Sequence, residues 1–395
     1  MQNDHCKTVN MIKKIFIFLF IFIFTFSCSS EDDDQSDLIS NSTEILDSVI
    51  NDNTPVTFDR SAMLVFWADK FIVPAYKKLK DDLSVLKESI ASFSEEPLQT
   101  NFEIVREKWF SAYKTWQHVE MFNIGKAEEI YLSSFMNIYP VNEERITSNI
   151  ISGVYDLENP NNYASQGFPA LDYLLFGLGE NDAEILEKYQ PSDNNYSKYL
   201  VSVINKMEAK TNTVSNDWDS YRDTFVVSTE NTATSSINKL TNDFIFYFEK
   251  GLRTNKFGIP AGVFSTDELP SKVEGYYSKL YSKTLALESL YAIKNFFIGK
   301  AFENDALVGD SFQSYLTFLN AKKNDTNLSD LILSKLDTAI SSVTELSDDF
   351  TSQINTDNNT MLLTFDRIQS VVILLKVDML QTLNINVDYV DADGD

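Results

Sequence analysis

The chain predicts an all-α protein built as two helical bundles. Three observations carry that reading. Gly and Pro, which break long helices, number only 12 and 9 in 395 residues. Apolar residues recur at steps of three and four over long stretches, the period of a helix with one buried face. No window alternates apolar and polar residues between turn dipeptides, so no sheet is expected.

The elements follow in order. Leu64, Ala68, Phe71, Ala75, Leu79, Leu83, Leu86, Ile90 and Phe93 form a one-sided stripe. Pro74 sits inside it and should kink or interrupt the helix, because it lacks an N–H and its ring crowds the preceding turn. Phe102, Val105, Trp109, Ala112, Trp116 and Val119 repeat the pattern in a second helix. Further helices are expected over 196–216, 236–253, 273–302, 327–350 and 361–383. Clusters of Pro, Gly, Asn and Asp mark loops at 158–162, 190–195 and 256–262. The economical division is an N-terminal bundle at 58–235 and a C-terminal bundle at 236–395, the latter ending in a short acidic tail.

Hydrophobic residues make up 43% of the chain, with 29 Phe and 18 Tyr, enough for a globular core. The aromatic residues fall mostly on helical stripes, which assigns them to packing. Asp and Glu number 58 against 33 Lys and Arg, for a formal charge of −25. No cluster of positive charge exists to meet phosphates, so nucleic acid is not a partner. Two Cys and two His exclude a disulfide scaffold and a His-rich metal centre. Walker, Gly-rich dinucleotide, Gly-x-Ser-x-Gly and His-Glu-x-x-His patterns are missing.

The N-terminus carries a targeting signal. Lys13 and Lys14 precede an apolar run from Ile15 to Phe26, too short for a membrane span. Thr25-Phe26-Ser27-Cys28 resembles a bacterial lipobox, although Thr25 stands where Leu is usual. Residues 1–27 are therefore expected to be a lipoprotein signal peptide, with Cys28 the lipidated residue. Met11 is a plausible start, which leaves His5 and Cys6 in an extended leader. Removing residues 1–27 takes away Lys7, Lys13 and Lys14 against Asp4, moves the charge from −25 to −27, and leaves His118 as the sole histidine. Residues 28–57 read as a polar, acidic tether. Its Glu31-Asp32-Asp33-Asp34 run resembles the export signal of surface lipoproteins in Bacteroidetes-type bacteria. The expected location is the outer membrane, on the cell surface or otherwise on the periplasmic face, with the membrane lipid as anchor.

The most unusual stretch is Gln166-Gly167-Phe168-Pro169-Ala170-Leu171-Asp172-Tyr173-Leu174-Leu175-Phe176-Gly177. On spacing alone, Gly167 permits a tight turn, Pro169 suits a first helical turn and Asp172 meets the positive end of the helix dipole. The stretch also resembles the Gly-x-His-x-x-Glu segment of imelysin-like proteins. Trp109, Trp116, Glu120, Met121 and Phe122 are similar to that family's aromatic helix ending in Glu-x-Phe. Residues 246–262 resemble its linker, Val273-Glu274-Gly275-Tyr276-Tyr277-Ser278 follow in family order, and the Asp391–Asp395 tail resembles a family ending.

This resemblance implies an all-helical fold, an extracytoplasmic location and a link to iron or haem uptake. It also implies a metallopeptidase class whose motif His and Glu ligate metal. Here Pro169 replaces the His and Asp172 the Glu, and proline has no donor atom. The chain is thus read as a binding protein rather than an enzyme, its ligand flanked by Glu120, Gly167, Pro169, Asp172 and Tyr173. Glu120 and Asp172 are expected to face one another and hold a cation, iron or another divalent ion, through oxygen ligands. The expected partners are iron- or haem-uptake components. The alternatives are a metallopeptidase and a surface lipoprotein without a small ligand. His118 is read as an ordinary edge histidine, and the Asp-rich tail as solvated, since it lacks the distal Glu of a calcium loop.

Overall fold

The computed structural model describes residues 57–192 and 194–389. The signal, Cys28, the tether and the Asp391–Asp395 tail lie outside them. Asp59 opens the first helix, α1 (Arg60–Trp67), by accepting the Ala62 N–H on its side chain. The stripe then continues into α2 (Val73–Glu95). The interruption expected at Pro74 lies just upstream, where Ala68–Ile72 widen into a π-helical turn. Pro74 has no N–H to offer the Lys70 carbonyl. That carbonyl instead accepts the Phe302 N–H at 2.8 Å, which docks a distant hairpin on the helix.

α3 (Gln99–Trp116) packs along α2 with Phe102, Val105, Trp109, Ala112 and Trp116 buried, as the stripe predicts. Short helices follow: α4 (Lys126–Glu129), α5 (Leu132–Met136), α6 (Glu143–Ser152), a 3-10 turn at Pro160–Ser165, α7 (Gly167–Asp172), a π turn at Tyr173–Gly177, and α8 (Asp182–Lys188). α9 (Asn195–Val227) is longer than expected because no Gly or Pro interrupts it. α10 (Ser236–Phe246) runs into a π segment, Tyr247–Gly258. The loop expected at 256–262 is thus half helical, and Lys256 is a buried helical residue.

The helix expected to start at 273 starts instead at Ser282, as α11 (Ser282–Ile298). Gly275 at φ +70° turns the preceding chain back on itself. Gly299 in the left-handed region ends α11. Then comes a feature the sequence does not predict: two short antiparallel hairpins. β1 (Lys300–Ala301) pairs β2 (Asn304–Val308), and β3 (Lys322–Lys323) pairs β4 (Thr326–Asn327), either side of α12 (Phe312–Phe318). Strands this short hold too few residues for alternation to show. α13 (Leu328–Thr344), α14 (Phe350–Ile373) with a kink at Asp357, a π turn at Leu374–Met379, and α15 (Leu380–Leu383) complete the fold.

Helices from both sides of residue 235 feed one apolar core. Its centre is aromatic. The Phe296 ring of α11 lies 4.7 Å from Trp67, 5.3 Å from Phe71, 5.1 Å from Phe122 and 5.7 Å from Phe244. The Trp67 contact is stacked and the others are tilted or edge-on, which are favoured ring geometries. Among the described residues no helix is long and apolar enough to cross a membrane.

Candidate ligand-binding site

Gly167 fixes the unusual stretch in place. Its φ is +80°, and a Cβ there would overlap the Met136 and Phe135 carbonyls at the end of α5. All six residues of α7 are buried. Trp109 donates its indole N–H to the Phe168 carbonyl at 3.1 Å, and Tyr113 stacks on the Phe168 ring at 4.5 Å. Asp172 ends α7 rather than standing in its first turn, so it does not serve that helix's dipole. Its Oδ2 accepts the Tyr277 N–H at 2.9 Å and its Oδ1 the Ser278 N–H at 3.1 Å. Asp172 therefore caps the turn that precedes α11 and ties the two halves of the chain. Burial pushes its carboxyl up to about 7, against the pull of those two donors. Pro169 and Asp172 line a gap of only about 10 Å³, and Tyr173 meets Tyr277 edge-on at 5.0 Å. The gap holds one water at most.

Glu120 lies in the turn after α3 and does not pair with Asp172. Its carboxylate neighbour is Glu274. The Asn137 amide bridges them, its Nδ2 donating to Glu120 Oε1 at 3.0 Å and to Glu274 Oε1 at 2.9 Å. Lys256 donates to Glu274 Oε2 and, at 2.8 Å, to Gln117 Oε1. Gln117 Nε2 donates to Glu274 Oε1 at 3.2 Å, and Ser289 Oγ donates to Gln117 Oε1 at 2.7 Å. Gln117, Lys256, Glu274 and Ser289 are at most 2% exposed. Lys256 thus pairs with Glu274 away from water, and Asn137 links that pair to Glu120. Burial raises the Glu120 pKa, Lys256 opposes the rise and Glu274 adds to it. Glu120 Oε2 and Trp116 Nε1 are buried, and the indole N–H of Trp116 helps to hold the Glu120 pKa down.

Glu120 also walls a cavity of about 250 Å³, with Met121, Ile138, Phe246 and Tyr247 as its apolar side and Asn123, Asn137, Asn255, Ser133 and Ser134 as neutral polar groups. None of Gly167, Pro169, Asp172 and Tyr173 lines it. The single cleft expected around all five residues is therefore two places, because the Gly275 turn fills the space beside Asp172. A second opening, about 360 Å³, lies at His118. There His118 Nε2 sits 3.0 Å from Glu288 Oε2 and edge-on to Phe302 at 5.4 Å.

The motif does not fit a metal. Pro169 offers no donor, and both Asp172 oxygens are occupied by backbone N–H groups. Among the described residues no three His, Cys, Asp or Glu side chains gather as a metal-holding group. Sequence reasoning missed Gln117, Asn137, Lys256 and Ser289. Lys256 and Glu274 stand within stretches that resemble the family, but no spacing rule joins them.

The sequence and the fold both find counterparts among known proteins. Residues 72–374 match the family model described as Imelysin, a peptidase family. The chain belongs to the imelysin family. Iron-regulated protein A of Synechococcus elongatus is 24% identical over 114 residues, which is 29% of this chain and 31% of that protein. The match thus spans under a third of that relative's length. Two crystal structures share the fold of this imelysin-family chain. An imelysin-like protein from Psychrobacter arcticum superposes with a TM-score of 0.64 at 17% identity, over 84% of this chain and 97% of that one. A candidate iron-regulated protein A precursor from Parabacteroides distasonis gives 0.63 at 16% identity, with the same coverage. Both likenesses confirm the all-helical architecture expected from the spacing.

Proposed function

We propose that this imelysin-family chain is an iron-linked binding lipoprotein of the outer membrane rather than a hydrolase. One observation carries the choice. The motif carboxylate, Asp172, is spent on two backbone caps in a closed gap, whereas Glu120 lines a cavity of about 250 Å³. Peptide hydrolysis at a zinc centre needs about three protein ligands and an open coordination position. The motif supplies neither. The relationship to iron-regulated protein A supports the iron link, and the lipobox-like Thr25–Cys28 supports the anchor.

The test is calorimetric titration of the mature chain with Fe²⁺, Fe³⁺ and haem. Saturable heat with one of them is expected. Flat traces for all three, or chelator-sensitive cleavage of a denatured protein by the same preparation, would overturn the reading.

A further inference from the structure

We propose that the opening beside His118 binds a small zwitterion of the amino-acid or dipeptide class, its carboxylate held by Lys114 and its ammonium by Glu303. The inference goes beyond the iron-linked reading and concerns a different opening from the one beside Glu120.

The charges on the lining decide the class of guest. Six ionisable side chains border the space: Lys78, Lys114, His118, Glu288, Glu303 and Asp305. Four of them are already answered. Lys78 Nζ lies 2.5 Å from Asp82 Oδ1, Asp305 Oδ1 lies 2.8 Å from Lys300 Nζ, and His118 Nε2 lies 3.0 Å from Glu288 Oε2. One ammonium and one carboxylate remain. Among the described residues, Lys114 and Glu303 pair with no opposite charge, and they do not pair with each other. A simple anion drawn to Lys114 is repelled by Glu303, and a simple cation drawn to Glu303 is repelled by Lys114. A guest that carries both charges a few bonds apart meets an opposite charge at each end. A bare metal ion fits poorly, since no three His, Cys, Asp or Glu side chains gather to hold it among the described residues.

Both charges are carried on anchored structure. Lys114 stands on α3 with its Nζ 4.9 Å from the centre of the Phe110 ring, which packs its stem. Phe110 in turn stacks on Tyr281 at 3.8 Å. Glu303 stands at the turn of the β1–β2 hairpin with φ +52°, a left-handed conformation that side chains rarely adopt. The hairpin is fastened at its base. The Phe302 N–H donates to the Lys70 carbonyl at 2.8 Å, and the Gly309 N–H donates to the Gly299 carbonyl at 2.9 Å. Groups held before a guest arrives lose less freedom on binding.

The volume, about 360 Å³, lies at the lower end of the usual range for small-molecule sites, which sets the guest at one or two residues. Ser111 and Asn295 offer a hydroxyl and an amide, which suit a peptide group. Phe71, Ala301 and Phe302 offer carbon to a methyl side chain.

The experiment is calorimetric titration of the mature chain with dialanine, with N-acetyl-dialanine, which lacks the ammonium, and with dialanine amide, which lacks the carboxylate. Saturable binding of dialanine is expected, with a Kd at or below about 1 mM. Each blocked peptide should bind at least threefold more weakly. Lys114→Met should weaken dialanine about tenfold and remove the penalty for amidation. Glu303→Gln should weaken it at least threefold, since the exposed Glu303 is screened by water, and should remove the penalty for acetylation. The unfolding midpoint should stay unchanged in both variants, and the blocked peptides test the same assignment on the unaltered chain. Dialanine that does not saturate, blocked peptides that bind as well as dialanine, or a loss confined to one variant, which marks a simple anion or cation site, overturns the proposal.

Discussion

Asp172 and Glu120 are both acidic side chains, and both are pushed upward in pKa by burial. They differ in how many donors reach them. Asp172 is 1% exposed, and each of its oxygens accepts a backbone N–H from the Gly275 turn. Glu120 is partly exposed to a cavity, and one amide reaches one of its oxygens. The first arrangement is closed and holds two halves of the chain together. The second borders open space. A buried carboxylate ties chain segments together when both of its oxygens are taken by backbone donors, as at Asp172.

The largest expected effect tests the network behind Glu120. Lys256→Met removes the ammonium shared by Glu274 and Gln117 and strands the Glu274 carboxylate in the interior. A loss of about 3–5 kcal/mol in urea unfolding is expected, the usual cost of breaking a buried ion pair from one side. A loss below about 1 kcal/mol would show that water reaches the network, and would erase its contrast with the cavity.

Asp172→Ala comes next. It leaves the Tyr277 and Ser278 N–H groups without acceptors, at about 1–3 kcal/mol for a stranded buried donor. Unfolding free energy should fall by about 2–3 kcal/mol, and hydrogen exchange should quicken at residues 275–278 before it changes at α3. Unchanged exchange there would mean that the turn holds itself, and Asp172 would lose its role as a strut.

The remaining test is a pH slope. Asp172 has a folded pKa of about 7 against 3.8 for an unperturbed carboxyl. Between those values the folded chain holds a proton that the unfolded chain releases. The stability of the wild type relative to Asp172→Asn should therefore fall as pH rises from about 4 to about 7 and stay level above. A relative stability that stays level over this window and changes only below about pH 4 would place the Asp172 pKa below that of an unperturbed carboxyl, with the caps outweighing burial.

Several particulars were legible in the sequence, and the reasons are local. The stripe from Leu64 to Phe93 and that from Phe102 to Trp116 are buried as read, because helical spacing alone decides which face turns inward. Gly167 was singled out as a tight turn, and it has φ +80°. Other features were not legible. Lys256 sits among Gly and Pro residues that signal a loop, yet a π segment carries it into the core. The 273–281 stretch has helical spacing, but Gly275 and the docking of Asp172 hold it as a turn. Tertiary contacts override local preference where a capped turn satisfies more backbone groups than one more helical turn does.

The residue order by itself determined the helices, the family resemblance and the loss of a metal donor at Pro169, because each depends on neighbours a few positions apart. Only the tertiary structure decided which carboxylate meets which partner. Glu120 was expected to face Asp172, and the fold gave it Asn137 and Glu274 instead, while Asp172 went to a turn 105 residues away. Hydrogen bonds are satisfied by whatever the packing of distant segments brings within about 3 Å, and no spacing in the sequence encodes that distance.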